Sequence, residues 1–114
     1  MNAIIWEDME SMYSRNVELW EPLKNKTVLI TGAYGMLPSY MVYMLIYLNE
    51  SQKDYNIQII TVIRNKDKLF DRFGEYTNRP YFHIMQDDIC KPISYDGKID
   101  YIIHGASPAS SQYY

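Results

Sequence analysis

Apolar residues recur at helical spacing from the start of the chain. Trp6, Met9, Tyr13, Val17 and Trp20 follow at intervals of three, four, four and three residues, the stripe of an amphipathic helix over Ile4 to Trp20. Such a stripe packs on the rest of the domain or on a partner. Glu21-Pro22 should end the helix, because the residue before a proline is pushed out of the α region. The pattern then changes. Lys26 to Thr31 is a short β-branched run that reads as a fully buried strand of a parallel sheet. Gly32-Ala33-Tyr34-Gly35 follows, and then a helical pattern from Met36 to about Asn49, with Leu37, Met41, Met44, Leu45 and Leu48 on one face. Tyr40, Tyr43 and Tyr47 recur at the same period and read as packing residues.

A second apolar strand spans Ile57 to Ile63. Asn65 or Asp67 caps a short helix through Phe73, stopped by Gly74. The third strand is Tyr81 to Met85, and the fourth is Asp100 to His104, running into Gly105-Ala106-Ser107. Helices between consecutive apolar strands predict an α/β fold: a parallel sheet with right-handed crossovers. An antiparallel domain would show half-polar strands and hairpin turns instead. Residues 1–22 form a helical extension in this reading, and 23–114 the α/β domain.

Composition narrows the function classes. With 114 residues, one small domain is expected. A net charge of −3 and an isoelectric point near 5.2 argue against nucleic acid as a partner, which calls for a basic surface. The longest apolar run, Met36 to Leu48, is 13 residues interrupted by Pro38 and Ser39, too short to span a bilayer. The lone Cys90 can form neither an internal disulfide nor a thiolate metal cage, and no metal site is expected. The acidic N-terminal segment lacks the cationic start of a signal peptide, so the expected location is cytoplasmic.

The glycine turn is the most informative chemistry. Placed between a buried strand and a helix, it lets the backbone approach a pyrophosphate, whose charge the free helix-terminal N–H groups receive. Gly-x-x-Gly alone is a weak signal; at the first strand–helix junction of a β-α-β unit it is much stronger.

Lys24 to Leu37, carrying Thr31-Gly32-Ala33-Tyr34-Gly35, resembles the T-G-x-x-G-x-x-G fingerprint of the extended short-chain dehydrogenase/reductases. Within them, the similarity is to the nucleotide-sugar epimerase/dehydratase group. Asp88-Ile89 resembles the acidic–aliphatic pair that holds adenine in that family. His104-Gly105-Ala106-Ser107-Pro108-Ala109-Ser110, continuing to Tyr113-Tyr114, is similar to its cofactor-lining segment and closest in wording to UDP-glucuronate decarboxylases. The resemblance covers about Leu23 to Tyr114.

The resemblance implies the first half, about four strands, of a Rossmann-type sheet binding NAD or NADP. The nucleotide-sugar substrate, a UDP- or dTDP-sugar, would be oxidised transiently. Gly32, Gly35, Met36 and Leu37 would seat the pyrophosphate, Tyr34 between them would also contact the cofactor, and Asp88 and Ile89 would hold the adenine. Gly105, Ala106 and Ser107 would line the path to nicotinamide. After the second strand stand Arg64-Asn65-Lys66 with no acid before Asp67, so Arg64 suits a 2′-phosphate and Asn65 can meet ribose hydroxyls.

Two departures matter. Pro38 stands where the fingerprint has its third glycine, the one that allows helix and strand to pack closely. Proline is tolerated in a first helical turn, so weakened or shifted cofactor binding is expected and not its loss. The family also uses a tyrosine with a lysine four residues on, and none of the 12 tyrosines has one. No catalytic residue is therefore assigned here. His83 and His104 read as structural histidines. The expectation is the cofactor half of such an enzyme, truncated after its fourth strand. A non-catalytic nucleotide-binding or interaction module is the alternative, one that forms homo-oligomers or docks a partner through the strand edge left unpaired.

Overall fold

A computed structural model describes residues 2–33, 36–52, 54–63, 66–86 and 97–105. Helix α1, Ala3–Arg15, opens on an Asn2 side chain that accepts from the Ile5 amide. It stops at Asn16, one turn short of expectation. Asn16 leaves helical geometry, returns its own N–H to the Tyr13 carbonyl, and donates from its amide to the Met12 carbonyl. The indole N–H of Trp20 points at the same Met12 oxygen. These donors satisfy the orphan carbonyls at the end of α1. A second helix, α2 (Val17–Trp20), then runs into a 3-10 turn through Leu23, so the Glu21-Pro22 pair tightens the chain before ending it. The break rotates Val17 out of the predicted stripe and leaves it exposed, while Met9 and Trp20 enter the core.

Four strands form one parallel sheet in the order β3-β2-β1-β4. They are β1 (Thr27–Thr31), β2 (Gln58–Ile63), β3 (Phe82–Gln86) and β4 (Tyr101–His104). Each lies within one residue of the predicted span. Helix α3 (Met36–Ser51) follows β1 and α4 (Lys66–Phe73) follows β2. This is the α/β architecture expected, with the strand order of the first half of a Rossmann-like sheet.

Alternation along the strands feeds both faces. Val28, Ile30, Ile59 and Ile63 join the main core with α3 and with Leu69 and Phe73 of α4. Leu29, Ile60 and Val62 pack with Met85 and Ile99 in a smaller cluster. Helix α3 departs from its predicted single face: Val42 through Leu48 are all buried. One side meets the sheet. The other is covered by α1, whose Trp6 meets Tyr47 edge-on at a centroid distance of 5.0 Å and whose Tyr13 adds a tilted contact. An all-round apolar helix is buried from both sides. Leu37, placed on the apolar face by its spacing, is instead 76% exposed in the first turn of α3.

Polar clamps fix the N-terminal end of the sheet. Asn49 of α3 bonds both backbone groups of buried Ile57, accepting from its N–H at 2.8 Å and donating to its carbonyl at 2.9 Å. Asp100 accepts from the Thr27 amide at 2.9 Å, and its own N–H returns to the Thr27 carbonyl. Glu50 holds Arg79 in a two-pronged pair and accepts from the Tyr81 hydroxyl. Burial, with Glu50 beside it, pushes the Tyr81 phenol well above its ordinary value.

Candidate functional site

The opposite end of the sheet carries the candidate site. At β1 the strand order switches direction: β2 lies to one side and β4 to the other. In open α/β sheets, ligands bind in the crevice beyond the strand carboxyl ends at such a switch point.

Gly32 leaves β1 with φ +68°, the left-handed region where a Cβ is strained, so a glycine is required at this turn. Helix α3 starts at Met36, only four positions on. The first-turn amides of a helix have no intrahelical partner and carry its positive pole. Pro38 sits in that turn, where it forfeits no intrahelical bond. Buried Ser39 follows, accepting at 3.1 Å from the Arg72 guanidinium, which reaches over from α4. Arg72 also accepts at its backbone carbonyl from the Tyr43 hydroxyl, and burial raises the phenol's pKa against the opposing pull of the arginine. A cation thus lies beside the first turn of α3, reinforcing the positive pole.

The β4 side is tied to β1 through one residue. Gly105 donates its N–H to both the Thr31 carbonyl, at 3.0 Å, and the Thr31 hydroxyl, at 3.1 Å. The same hydroxyl lies 3.0 Å from Nδ1 of His104. His104, exposed at the end of β4, is bonded to Thr31, and His83 is bonded to Gln58 at 2.8 Å.

The structure thus brings Gly32, the backbone of Met36, Leu37 and Gly105 to one end of the sheet. Tyr34, Gly35, Arg64, Asn65, Asp88, Ile89, Ala106 and Ser107 lie outside the described residues, as do Cys90, Tyr113 and Tyr114. The positions of their neighbours are nonetheless fixed. β2 ends at Ile63 and α4 begins at Lys66, and β3 ends at Gln86, two positions before Asp88 in the sequence. Among the described residues, no cluster of three histidine, cysteine or acidic side chains could hold a metal.

Two features went unread in the sequence. Arg72 is one charge among several on a short amphipathic helix, and nothing in its spacing singles it out. The second is the approach of Gly105 to Pro38, whose ring carbon would lie 2.1 Å from a Cβ at residue 105. Its signal was present: a proline replacing a packing glycine, and a glycine directly after β4.

No protein-family model and no curated protein matches this chain. No described helix is long and apolar enough to cross a membrane. Fold and site together define a Rossmann-like α/β domain with a glycine turn at its switch point.

Proposed function

We propose that the chain is the N-terminal dinucleotide-binding part of a nucleotide-sugar epimerase, dehydratase or decarboxylase, taking NAD or NADP. The observation that carries this reading is the left-handed turn at Gly32, which leads from the carboxyl end of β1 into α3 at the switch point. The arrangement fits a pyrophosphate. The backbone turns away from the strand without a side chain in the way, and the amides of Met36 and Leu37 fall before the first hydrogen bond within α3. Arg72 beside that turn favours an anion.

In this reading Gly32, Tyr34 and Gly35 give close access, and the amides of Met36 and Leu37 take the pyrophosphate. Arg64 and Asn65 meet the adenosine ribose or its 2′-phosphate, Asp88 and Ile89 hold adenine, and Gly105, Ala106 and Ser107 line the way to nicotinamide. The bound dinucleotide supplies a hydride acceptor for a UDP- or dTDP-sugar. This chain's own residues bind and orient it; the tyrosine–lysine pair for proton transfer is not among them.

Calorimetric titration with NADH and NADPH tests the reading. Saturable binding is expected, and Gly35→Trp should abolish it while leaving the melting profile cooperative. Unchanged affinity in Gly35→Trp would remove the cofactor assignment.

The β4 edge favours a second reading, a non-catalytic module that self-associates. Among the described residues β4 is paired only with β1, Tyr101 and Ile102 are 44% and 65% exposed, and an apolar groove of about 450 Å³ runs between β4, α3 and Leu19 to Leu23. Open apolar edges recruit other strands. A chain that self-associates in sedimentation yet takes up neither dinucleotide would favour this alternative.

A further inference from the structure

We propose that Pro38 and Gly105 form a reciprocal contact that seats the first turn of α3 on the β1–β4 crevice. The glycine that the fingerprint places on the helix is here moved to the strand. In the usual fingerprint, the third glycine removes a side chain from the helix so that helix and strand approach closely. Here the helix carries a proline ring at that position, and the strand side gives up its side chain instead.

The geometry requires a glycine at residue 105. A Cβ there would lie 2.1 Å from Pro38 Cγ, 3.1 Å from Pro38 Cβ and 3.0 Å from the Thr31 carbonyl oxygen. Backbone conformation is not the reason, since the described glycines with positive φ are Gly32 and Gly74, not Gly105. The requirement is steric.

Neither partner can step aside. The pyrrolidine ring is closed on its own backbone, so a change of pucker is the only freedom it has. Its helix is anchored one residue on by buried Ser39 and then by the run from Val42 to Leu48. Gly105 is pinned in turn by its two bonds to Thr31. A methyl group at 105 must therefore push the first turn of α3 away from the crevice or break the Gly105–Thr31 bonds. Removing the ring should make room for it.

A thermal double-variant cycle on the chain tests the contact. Gly105→Ala is expected to lower the melting midpoint by about 5 °C or more, the scale of an overpacked contact in a domain of this size. In the Pro38→Gly background, the same substitution should shift the midpoint by no more than about 2 °C. Equal losses in both backgrounds, or an unchanged midpoint for Gly105→Ala, would overturn the proposal. If Gly105→Ala alone fails to fold, the double variant must fold where the single does not, and its failure overturns the pair.

The positioning consequence rests on the function proposed above and has its own readout. NADH and NADPH affinity, measured well below every midpoint, should fall about tenfold or more in Gly105→Ala and recover in the double variant. Thermal coupling in a chain whose parent binds neither dinucleotide supports the contact and sinks the cofactor reading. Binding that is intact in Gly105→Ala despite thermal coupling overturns the positioning role.

Discussion

At the N-terminal end of the strands, side chains reach across to hold the backbone by hydrogen bonds, whereas the C-terminal end combines a tie through the Thr31 hydroxyl with two positions, Gly32 and Gly105, that carry no side chain. Asn49 brackets Ile57, Asp100 bonds to Thr27, and Glu50 gathers Arg79 and Tyr81 at the first end. At the second, Gly32 turns with positive φ and Gly105 lies bare against Pro38, tied to β1 through backbone and a threonine hydroxyl. Clamps of the first kind specify register and stability. Absences of the second kind let the chain turn tightly and let helix and strand approach closely. On the function proposed above, stability can therefore be lost at the first end without touching binding, whereas a change at Gly105 should cost both.

The sharpest way to break this division is Asn49→Ala. It leaves the N–H and carbonyl of a fully buried residue without partners, which costs about 2–3 kcal/mol. Chemical denaturation should show that loss, with dinucleotide affinity of the folded protein unchanged. A parallel fall in affinity would mean that the two ends are coupled.

A smaller effect is expected at Asp100. The Thr27 amide, and then Lys98, hold its carboxyl below the ordinary value. A folded pKa lowered in this way contributes stability above the unfolded value and loses it as pH falls through the folded one. Asp100→Asn should therefore melt below the parent at neutral pH, with the gap narrowing under acid conditions below the usual carboxylate range. Melting curves across pH check this, and a gap that stays constant would show that the charge contributes nothing.

The two central strands were legible because β1 and β2, buried on both faces, read as unbroken apolar runs, and Gly32 stands where such a run meets a helix; β4 is largely exposed and reads only as a short apolar run before Gly105. The break at Asn16 was not. The apolar stripe continues in phase across it, and only capping of the Met12 and Tyr13 carbonyls stops α1. The burial of α3 was misread for a related reason. Periodicity finds a helix with one apolar face, but α3 is covered by the sheet and by α1 together, so nearly every position is apolar. Leu37 fitted the spacing of that face yet precedes the buried stretch. In the candidate site, Pro38 stood out as a departure from the fingerprint. Its counterpart at Gly105 became visible only once β4 was placed beside β1, because the pair is 67 residues apart in the chain (105 − 38).

The most direct test is an amide NMR titration of the chain with NADH and NADPH. The account predicts saturable shifts concentrated at Thr31, Gly32, Leu37 and Gly105, with Asn49, Ile57, Arg79 and Asp100 unmoved. Shifts centred on the latter group, or none at all at saturating dinucleotide, would contradict it.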